Sequence, residues 1–187
     1  MTEAISGILT AFGLSTSAGL NAYVPLLIVA LLARFTNLIT LSAPWDTLEN
    51  PWIIGLLVVL LAIEVLADKI VGIDHINDAI QTFVRPAAGA ILFAASSHAV
   101  SDVHPVLALA CGLILAFGVH AVKATARPVV SATTAGLGNP IVSTAEDVIA
   151  ATVSLTAILM PVVMIFIVLI IAWLVWRLLS RRNPSAP

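Results

Sequence analysis

The sequence predicts an all-α protein built as a polytopic transmembrane helix bundle, and three observations support this prediction. Hydrophobic residues make up 60% of the 187 residues. Charged residues make up only 10%, whereas soluble domains carry about 25%. The mean hydropathy is +1.12, and several apolar runs approach the roughly 20 residues that one helix needs to cross a bilayer. We therefore expect a single integral membrane domain over residues 1–180, with a polar tail at 181–187.

Five segments are predicted to span the membrane. They cover residues 19–38, 52–71, 86–100, 105–122 and 148–179. The third and fourth are rich in small residues, so we expect them to pack against neighbouring helices through alanine and glycine surfaces. The fifth is too long for one straight crossing and is expected to tilt, to kink at Pro161 or to project beyond the bilayer.

Three further segments are expected not to cross the membrane alone. Residues 5–14 are predicted to be amphipathic or re-entrant, and residues 34–52 to form an interfacial loop with Trp45 and Trp52 at headgroup level. The stretch RPVVSATTAGLGNP, residues 127–140, combines β-branched residues, glycines and prolines and is the least favourable for a helix.

Two short similarities suggest an inverted repeat. SAGLN, which ends at Asn21, resembles TAGLGN, which ends at Asn139, and an Arg-Pro pair occurs at both Arg85 and Arg127. In an inverted-repeat transporter, such segments would be the two discontinuous elements that line the binding site. Chance similarity is the alternative explanation in a chain so rich in Ala, Gly and Leu.

Charged residues are concentrated in LADKIVGIDHINDAIQTFVRP, residues 66–86, directly after an apolar run. If one helix continues through this segment, five polar residues share one direction at 100° per residue. They are Glu64, Asp68, His75, Asp78 and Thr82, with Asp74 and Arg85 nearby and Lys69 almost opposite. The alternative is that Gly72 ends the span and that Asp74 caps a separate helix.

Glu64 is the strongest candidate for a buried charge, because apolar residues precede and follow it. A carboxylate at membrane depth costs about 2.5–3.5 kcal/mol on insertion scales, so it is expected to face protein or water and to have a partner. Arg85, Lys123 and Arg127 are the available cations. The alternative is that the aspartates of the segment lie on a solvated extension of the helix.

A second polar group lies between the third and fourth predicted spans. His98 and Asp102 are four residues apart and could share a metal ion or relay a proton, with His104 close by. A capped interhelical turn is the alternative. His120 and Lys123, three residues apart, are expected to form a polar helix end.

Several classes of function are not supported by the sequence. The basic residues are scattered and the net charge is −2, so no nucleic-acid partner is expected. The single Cys111 excludes an internal disulfide and a multi-cysteine metal site. The motifs of soluble hydrolases, metalloproteases and nucleotide-binding enzymes are absent. The sequence identifies no cofactor, and whether a metal binds is undetermined.

With EVLADKIVGIDHINDAIQTFVRPAAGA and AFGLSTSAGLNAYVPLL, the chain resembles, over nearly its whole length, a bacterial membrane family known as domain of unknown function 4126. The most specific part is an acidic helix that leads into an Arg-Pro pair. Its residues are Glu64, Asp68, Lys69, Asp74, Asp78, Arg85, Pro86 and Gly89. The resemblance implies a topology and a candidate site in the bacterial plasma membrane, but no substrate.

We expect a small transporter or channel for an anionic or ionic solute. The residues expected to bind the solute or a coupling ion are Glu64, Asp68, Lys69, Asp74, His75, Asp78, Arg85, Arg127, Asn21 and Asn139. One alternative is a membrane-embedded enzyme in which three aspartates hold a divalent ion against a lipid phosphate. Another is a structural subunit whose charges pair with a partner. The partners expected are the lipid bilayer and a small ion, and a homo-oligomer is compatible with the sequence.

The orientation is predicted from the basic residues. Five crossings divide them four against four, so the positive-inside rule alone decides nothing. We expect a cytoplasmic C-terminus, because its arginines lie beyond the last apolar residues.

Overall fold

The computed structural model describes residues 2–68, 73–97 and 103–182, and all regular structure within these ranges is helical. This confirms the predicted all-α class. The α-helices are α1 (Thr2–Leu20), α2 (Tyr23–Phe35), α3 (Pro51–Ala67), α4 (Ile73–Ser96), α5 (Pro105–Thr134), α6 (Asn139–Leu159) and α7 (Pro161–Arg182), with a short 3₁₀ helix at Trp45–Glu49.

Helix α1 lies at the centre of the bundle, in contact with α4, α5, α6 and α7. Ala11, Leu14 and Ala18 on α1 are fully buried. The expected amphipathic or re-entrant segment at 5–14 is therefore part of a longer, buried helix. Small side chains explain this position: a Cβ added at Gly19 would lie 2.6 Å from the carbonyl oxygen of Ala116, so α1 and α5 approach at backbone distance.

Helices α4 and α5 form the most extensive helix pair in the described residues. Their backbones meet at Gly89 and Gly112, where a Cβ on Gly112 would overlap the carbonyl oxygen of Gly89. Ala116 packs against Gly89 in the same seam. The predicted close packing of the third and fourth spans through glycine and alanine is confirmed.

Three helical segments are long and apolar enough to cross a membrane: Ile76–Ser96, Pro105–Thr134 and Asn139–Leu159. The helices at the first and second predicted spans are shorter, with 13 residues in α2 and 17 in α3. Many large apolar side chains on these helices face outward. The described residues thus indicate a membrane protein, while five spans and an inverted repeat remain predictions.

The structure corrects the expected boundaries in three places. The fifth predicted span is two helices, because α6 ends at Leu159 and α7 begins at Pro161, which has no N–H to continue a helix. The segment 127–140 is mostly helical: α5 continues through Pro128 to Thr134, and only residues 135–138 form a turn. Tertiary packing outweighs the weak helix propensity of this segment.

The third correction concerns the polar segment. Within the described residues, no single helix runs on from Glu64, because α3 ends at Ala67 with Asp68 as its C-cap, and α4 is described from Ile73. The described residues agree with the alternative of a break before α4. Lys69 and Gly72 lie outside them.

Candidate functional site

Charged side chains from several helices converge inside the bundle, although no single helix carries them all. We call them the charged cluster. Its members are Glu64, Asp68, Asp78, Arg85, Lys123, Arg127, Glu146 and Asp147. Arg85 is fully buried and Glu64 is 2% exposed. Ile63 and Leu66, the apolar neighbours of Glu64 on α3, are 55% and 63% exposed. Helix α3 therefore turns its carboxylate inward and its large apolar side chains outward.

Glu64 and Arg85 form a buried ion pair at the junction of α3 and α4. Nη2 of Arg85 donates to Oε1 of Glu64 at 2.9 Å. Nη1 of Arg85 lies 3.3 Å from Nδ1 of His120, whose Nε2 lies 3.0 Å from the hydroxyl of Thr82. Glu64 therefore has the buried cationic partner that its position requires.

Arg127 on α5 holds three carboxylates together. Its Nη2 lies 3.0 Å from Oδ2 of Asp68, and its Nη1 lies 2.5 Å from Oδ2 of Asp78. Oε2 of Glu146 lies 3.8 Å from the same guanidinium. The planar guanidinium suits this arrangement because it can donate to several carboxylates at once.

Asp68 is the most extensively bonded acid of the charged cluster. Besides the bond from Arg127, its Oδ2 accepts from the hydroxyl of Ser143 at 2.6 Å, and its Oδ1 accepts from Nδ2 of Asn77 at 2.8 Å. These donors come from α4, α5 and α6. Asp68, at the C-cap of α3, thereby ties four helices together.

Lys123 and Glu146 form the edge of the charged cluster that opens outward. Nζ of Lys123 lies 2.7 Å from Oε2 of Glu146 and donates to the carbonyl oxygen of Leu20 at 3.1 Å. The pair lies at the bottom of an open groove of about 340 Å³, whose other walls are mostly apolar. We call it the lysine groove. Its lining residues are Leu20, Gly118, Val119, Val122, Lys123, Ala126 and Glu146.

Asn21 joins the start of α2 to the charged cluster. Its Oδ1 accepts from the backbone N–H groups of Tyr23 and Val24 at 2.9 and 3.0 Å, and its Nδ2 donates to Asp147 at 2.8 Å. Asn139 bonds Ser131 across the turn between α5 and α6, at 2.9 and 3.1 Å.

A stripe of hydroxyl groups continues from Asn21 along α1 toward α6. The hydroxyl of Ser17 lies 2.8 Å from that of Ser154 and donates to the carbonyl of Ala150 at 2.7 Å. The hydroxyl of Thr10 donates to the carbonyl of Ala157 at 2.8 Å. The stripe ends at a second cavity of about 330 Å³, the hydroxyl pocket, in which Ser6, Thr10, Leu38, Ile39, Thr40, Ser42, Ala95 and Ser96 are among the lining residues.

The structure brings together five of the residues predicted for the site: Glu64, Asp68, Asp78, Arg85 and Arg127. Asn21 reaches the charged cluster through Asp147. Lys69 lies outside the described residues, as do the side chains of Asp74 and His75. Whether any of these residues binds a solute stays a prediction.

The second predicted polar group is described only in part. His98 and Asp102 lie outside the described residues. His104 is exposed, and its Nδ1 accepts from the N–H of Val106 at 3.3 Å. His104 is thus the N-cap of α5, whereas the alternative of a turn capped by Asp102 or Ser101 falls on residues outside the described ranges.

Sequence reasoning missed several members of the charged cluster. Glu146 and Asp147 stand just before the predicted fifth span and were not among the predicted site residues. Lys123 was predicted both as a polar helix end and as an available cation for Glu64, and it lies four residues before Arg127 on one face of α5. Two adjacent acids in an otherwise apolar region were the signal that could have identified them.

The charged cluster carries more acid than base within the described residues. Five carboxylates face three basic side chains, so the ionised cluster has a net charge of −2. Within the same ranges, no group of three or more His, Cys, Asp or Glu residues is arranged to hold a metal ion. Asp68 and Asp78 share Arg127 instead.

Apolar helices long enough to cross a membrane, with charged side chains gathered between them, are typical of polytopic helical membrane proteins, and this is the class that the fold and site indicate. Within that class, the family model described as domain of unknown function (DUF4126) matches residues 8–181. The chain therefore belongs to this family. No curated protein and no solved structure matches it.

Proposed function

We propose that the protein is a small transporter or channel for an ionic solute, and that the charged cluster binds that solute or its coupling ion. The observation that carries the proposal is the convergence of eight ionisable side chains between the helices of a chain with only 10% charged residues. Ionisable groups inside a membrane protein mark ion or proton pathways more often than they mark stable packing.

Stability alone is a weak reason to keep such a cluster. Replacing a buried ion pair by well-packed apolar residues is often neutral or stabilising by about 1–4 kcal/mol. The Glu64–Arg85 pair is almost completely buried, so a simpler apolar contact could occupy its place. Retention of the pair is better explained by a function that needs charge at this depth.

Two cavities that lie along α1 support a pathway through the bundle. The hydroxyl pocket includes Thr10, and the lysine groove includes Leu20, ten residues or about 15 Å further along the helix. Between them, Ser17 and Ser154 are fully buried and in contact with each other. An ion that passes from one opening to the other would require α1 and α6 to separate at this contact, as in alternating access.

The geometry also weakens the alternative roles. Charges that serve a partner protein would face outward, whereas this cluster faces inward and is paired within the chain. A divalent-metal enzyme would need free carboxylates, but Asp68 and Asp78 both bond Arg127. An architectural role is the second candidate, because the internal ion pairing also fixes how four helices meet.

The C-terminus is proposed to be cytoplasmic. Arg85, Lys123 and Arg127 lie inside the bundle and should not count toward the positive-inside rule. The basic residues that remain at the helix ends then favour the side of Arg177. A C-terminal fluorescent or phosphatase fusion in a bacterial host would report this side directly.

Ion flux in liposomes tests the proposed function. The purified chain is reconstituted, and uptake of ²²Na⁺, ³⁶Cl⁻ and protons is measured against protein-free liposomes. We expect flux of at least one of these ions. It should fall at least tenfold in Glu64→Gln, while the matched exposed change Asp46→Asn leaves it unaltered.

The double variant Glu64→Gln/Arg85→Met separates transport from architecture. It removes both charges of the buried pair, so it should fold better than either single variant. If the charges serve transport, the double variant stays inactive although it is stable. Recovery of wild-type flux in the double variant, or no flux of any probe through the wild-type protein, would reject the proposal.

A further inference from the structure

Several buried polar atoms of the charged cluster and its surroundings make no hydrogen bond in the described structure. The acceptors are Oε2 of Glu64, Oδ1 of Asp78, Oε1 of Gln81 and Oε2 of Glu146, and the donors are Nε of Arg85 and Nε of Arg127. Oε2 of Glu146 still lies 2.7 Å from Nζ of Lys123, but without hydrogen-bond geometry. Oxygen acceptors thus outnumber donors, and a buried acceptor without a partner is unfavourable.

Two of these oxygens belong to nearly inaccessible side chains at the inner end of the cluster. Gln81 is 1% exposed and Glu64 is 2% exposed. Gln81 lies one helical turn before Arg85 on α4, and Arg85 occupies only Oε1 of Glu64. Oε2 of Glu64 and Oε1 of Gln81, one turn of α4 from Arg85, are therefore both left as buried acceptors without a hydrogen bond.

Tyr23 on α2 adds a third oxygen to this region. Its side chain is 8% exposed and lies near enough to Gln81, Glu64 and Arg85 to interact electrostatically with all three. A carboxylate, an amide oxygen and a phenol oxygen thus come from three different helices, α3, α4 and α2. Oxygen ligands of this kind suit hard cations.

We propose that Glu64, Gln81 and Tyr23 bind a dehydrated monovalent metal cation, with Na⁺ as the first candidate. As the transported solute or coupling ion, this cation would deepen the proposed function, on which that role rests. The unpaired oxygen acceptors favour a cation, so an anionic solute, one of the kinds expected from the sequence, is not the one this site fits.

The local charge indicates a monovalent rather than a divalent ion. Glu64 offers one free carboxylate oxygen, while its other oxygen is bonded to Arg85. Divalent ions usually take ligands from several carboxylates, and the described residues hold no such group. The nearby guanidinium also repels the bound cation. Binding should therefore be weak and reversible, as conduction or transport requires.

Equilibrium binding of ²²Na⁺ to the purified full chain, measured by scintillation proximity, tests the site. We expect saturable binding that unlabelled Na⁺ displaces and choline does not. Gln81→Met keeps the side-chain length but removes the amide oxygen, so it should weaken binding at least tenfold. Tyr23→Phe removes only the hydroxyl and should weaken it severalfold. Ser15→Ala, an equally buried change on the α1–α4 contact, should leave it unaltered.

A parallel measurement with ⁸⁶Rb⁺ identifies the size of the ion. Saturable ⁸⁶Rb⁺ binding with the same dependence on Gln81 would support the site with a larger cation. The proposal is overturned if neither ion binds saturably. It is also overturned if folded Gln81→Met, monodisperse on size-exclusion chromatography, binds as the wild type does.

Cation binding and ion flux are separate measurements, so failure of the cation site and failure of the proposed transport function can be told apart. Gln81-dependent cation binding without flux of any probe would keep the site and reject transport. Flux that persists without cation binding would keep transport and reject the site.

Discussion

The Glu64–Arg85 pair offers the sharpest test of how the interior charges contribute to the fold. In the variant Glu64→Gln the side chain keeps its shape but loses its charge, and the fully buried Arg85 is left without its anionic partner. Removing one member of a buried pair costs about 3–5 kcal/mol. We expect Glu64→Gln and Arg85→Met each to lower the free energy of unfolding by an amount in this range.

The double variant should be much less unstable than the sum of these losses, because no unpaired charge remains. A coupling free energy of at least about 2 kcal/mol is expected from the 2.9 Å contact. The assay is reversible unfolding in mixed micelles by titration with sodium dodecyl sulfate, followed by the fluorescence of the four tryptophans. The exposed acid-to-amide change Asp46→Asn is the control and should stay within about 0.5 kcal/mol of the wild type.

Two results would refute this reasoning. One is a loss below about 1 kcal/mol in Glu64→Gln, which would mean that water reaches Arg85 or that another acid replaces Glu64. The other is a double variant as unstable as the two single variants added together, which would mean that the two side chains do not interact.

Three further variants, with Gly118→Ala as a control, test the packing around the site by their melting temperatures. Gly112→Ala should lower the free energy of unfolding by about 1–3 kcal/mol, because its Cβ would overlap a backbone carbonyl on α4. Gly118→Ala, with open space at its Cβ, should be neutral. Equal melting temperatures of the two variants would contradict the close approach of α4 and α5 at Gly112. Asn21→Ala should cost about 1–2 kcal/mol, since it removes the bonds that start α2 and the bond to Asp147. Thr10→Val should cost about 1 kcal/mol through the lost bond to α6, and a stabilised variant would argue against that contact.

The helical membrane class and the inward direction of Glu64 were predictable, because both follow from the free-energy cost of placing polar and charged groups in hydrocarbon. An apolar run of sufficient length favours a helix wherever it lies. A carboxylate inside such a run needs a partner, and the three possible cations could be listed from the sequence. Which of them pairs with Glu64 depends on how the helices pack.

The position of α1 could not be predicted from its own residues. Its serine and threonine side chains look too polar for a bundle centre, but Thr10 and Ser17 donate to carbonyls of α6, more than 130 residues away. Lys123 likewise contacts Leu20, 103 residues earlier in the chain. Long-range partners of this kind leave no periodic signal in a single sequence.

Helix α5 extends further along the chain than the sequence predicted. Residues 127–134 have weak helix propensity, yet they continue the helix through Pro128. The hydroxyls of Thr133 and Thr134 bond to carbonyls of the preceding turn, which satisfies these polar groups within the helix. Arg127 is held by acids from two other helices, and this tertiary contact outweighs local preference.

The central claim is that the ionisable groups of α3 to α6 face one another inside the bundle. An experimental structure of the protein in lipid nanodiscs tests it most directly, through the distances from the Arg127 guanidinium to Asp68 and Asp78. We expect both carboxylates within about 3.5 Å of the guanidinium, shielded from bulk water. Carboxylates that point into solvent, with Arg127 turned away from them, would contradict the account.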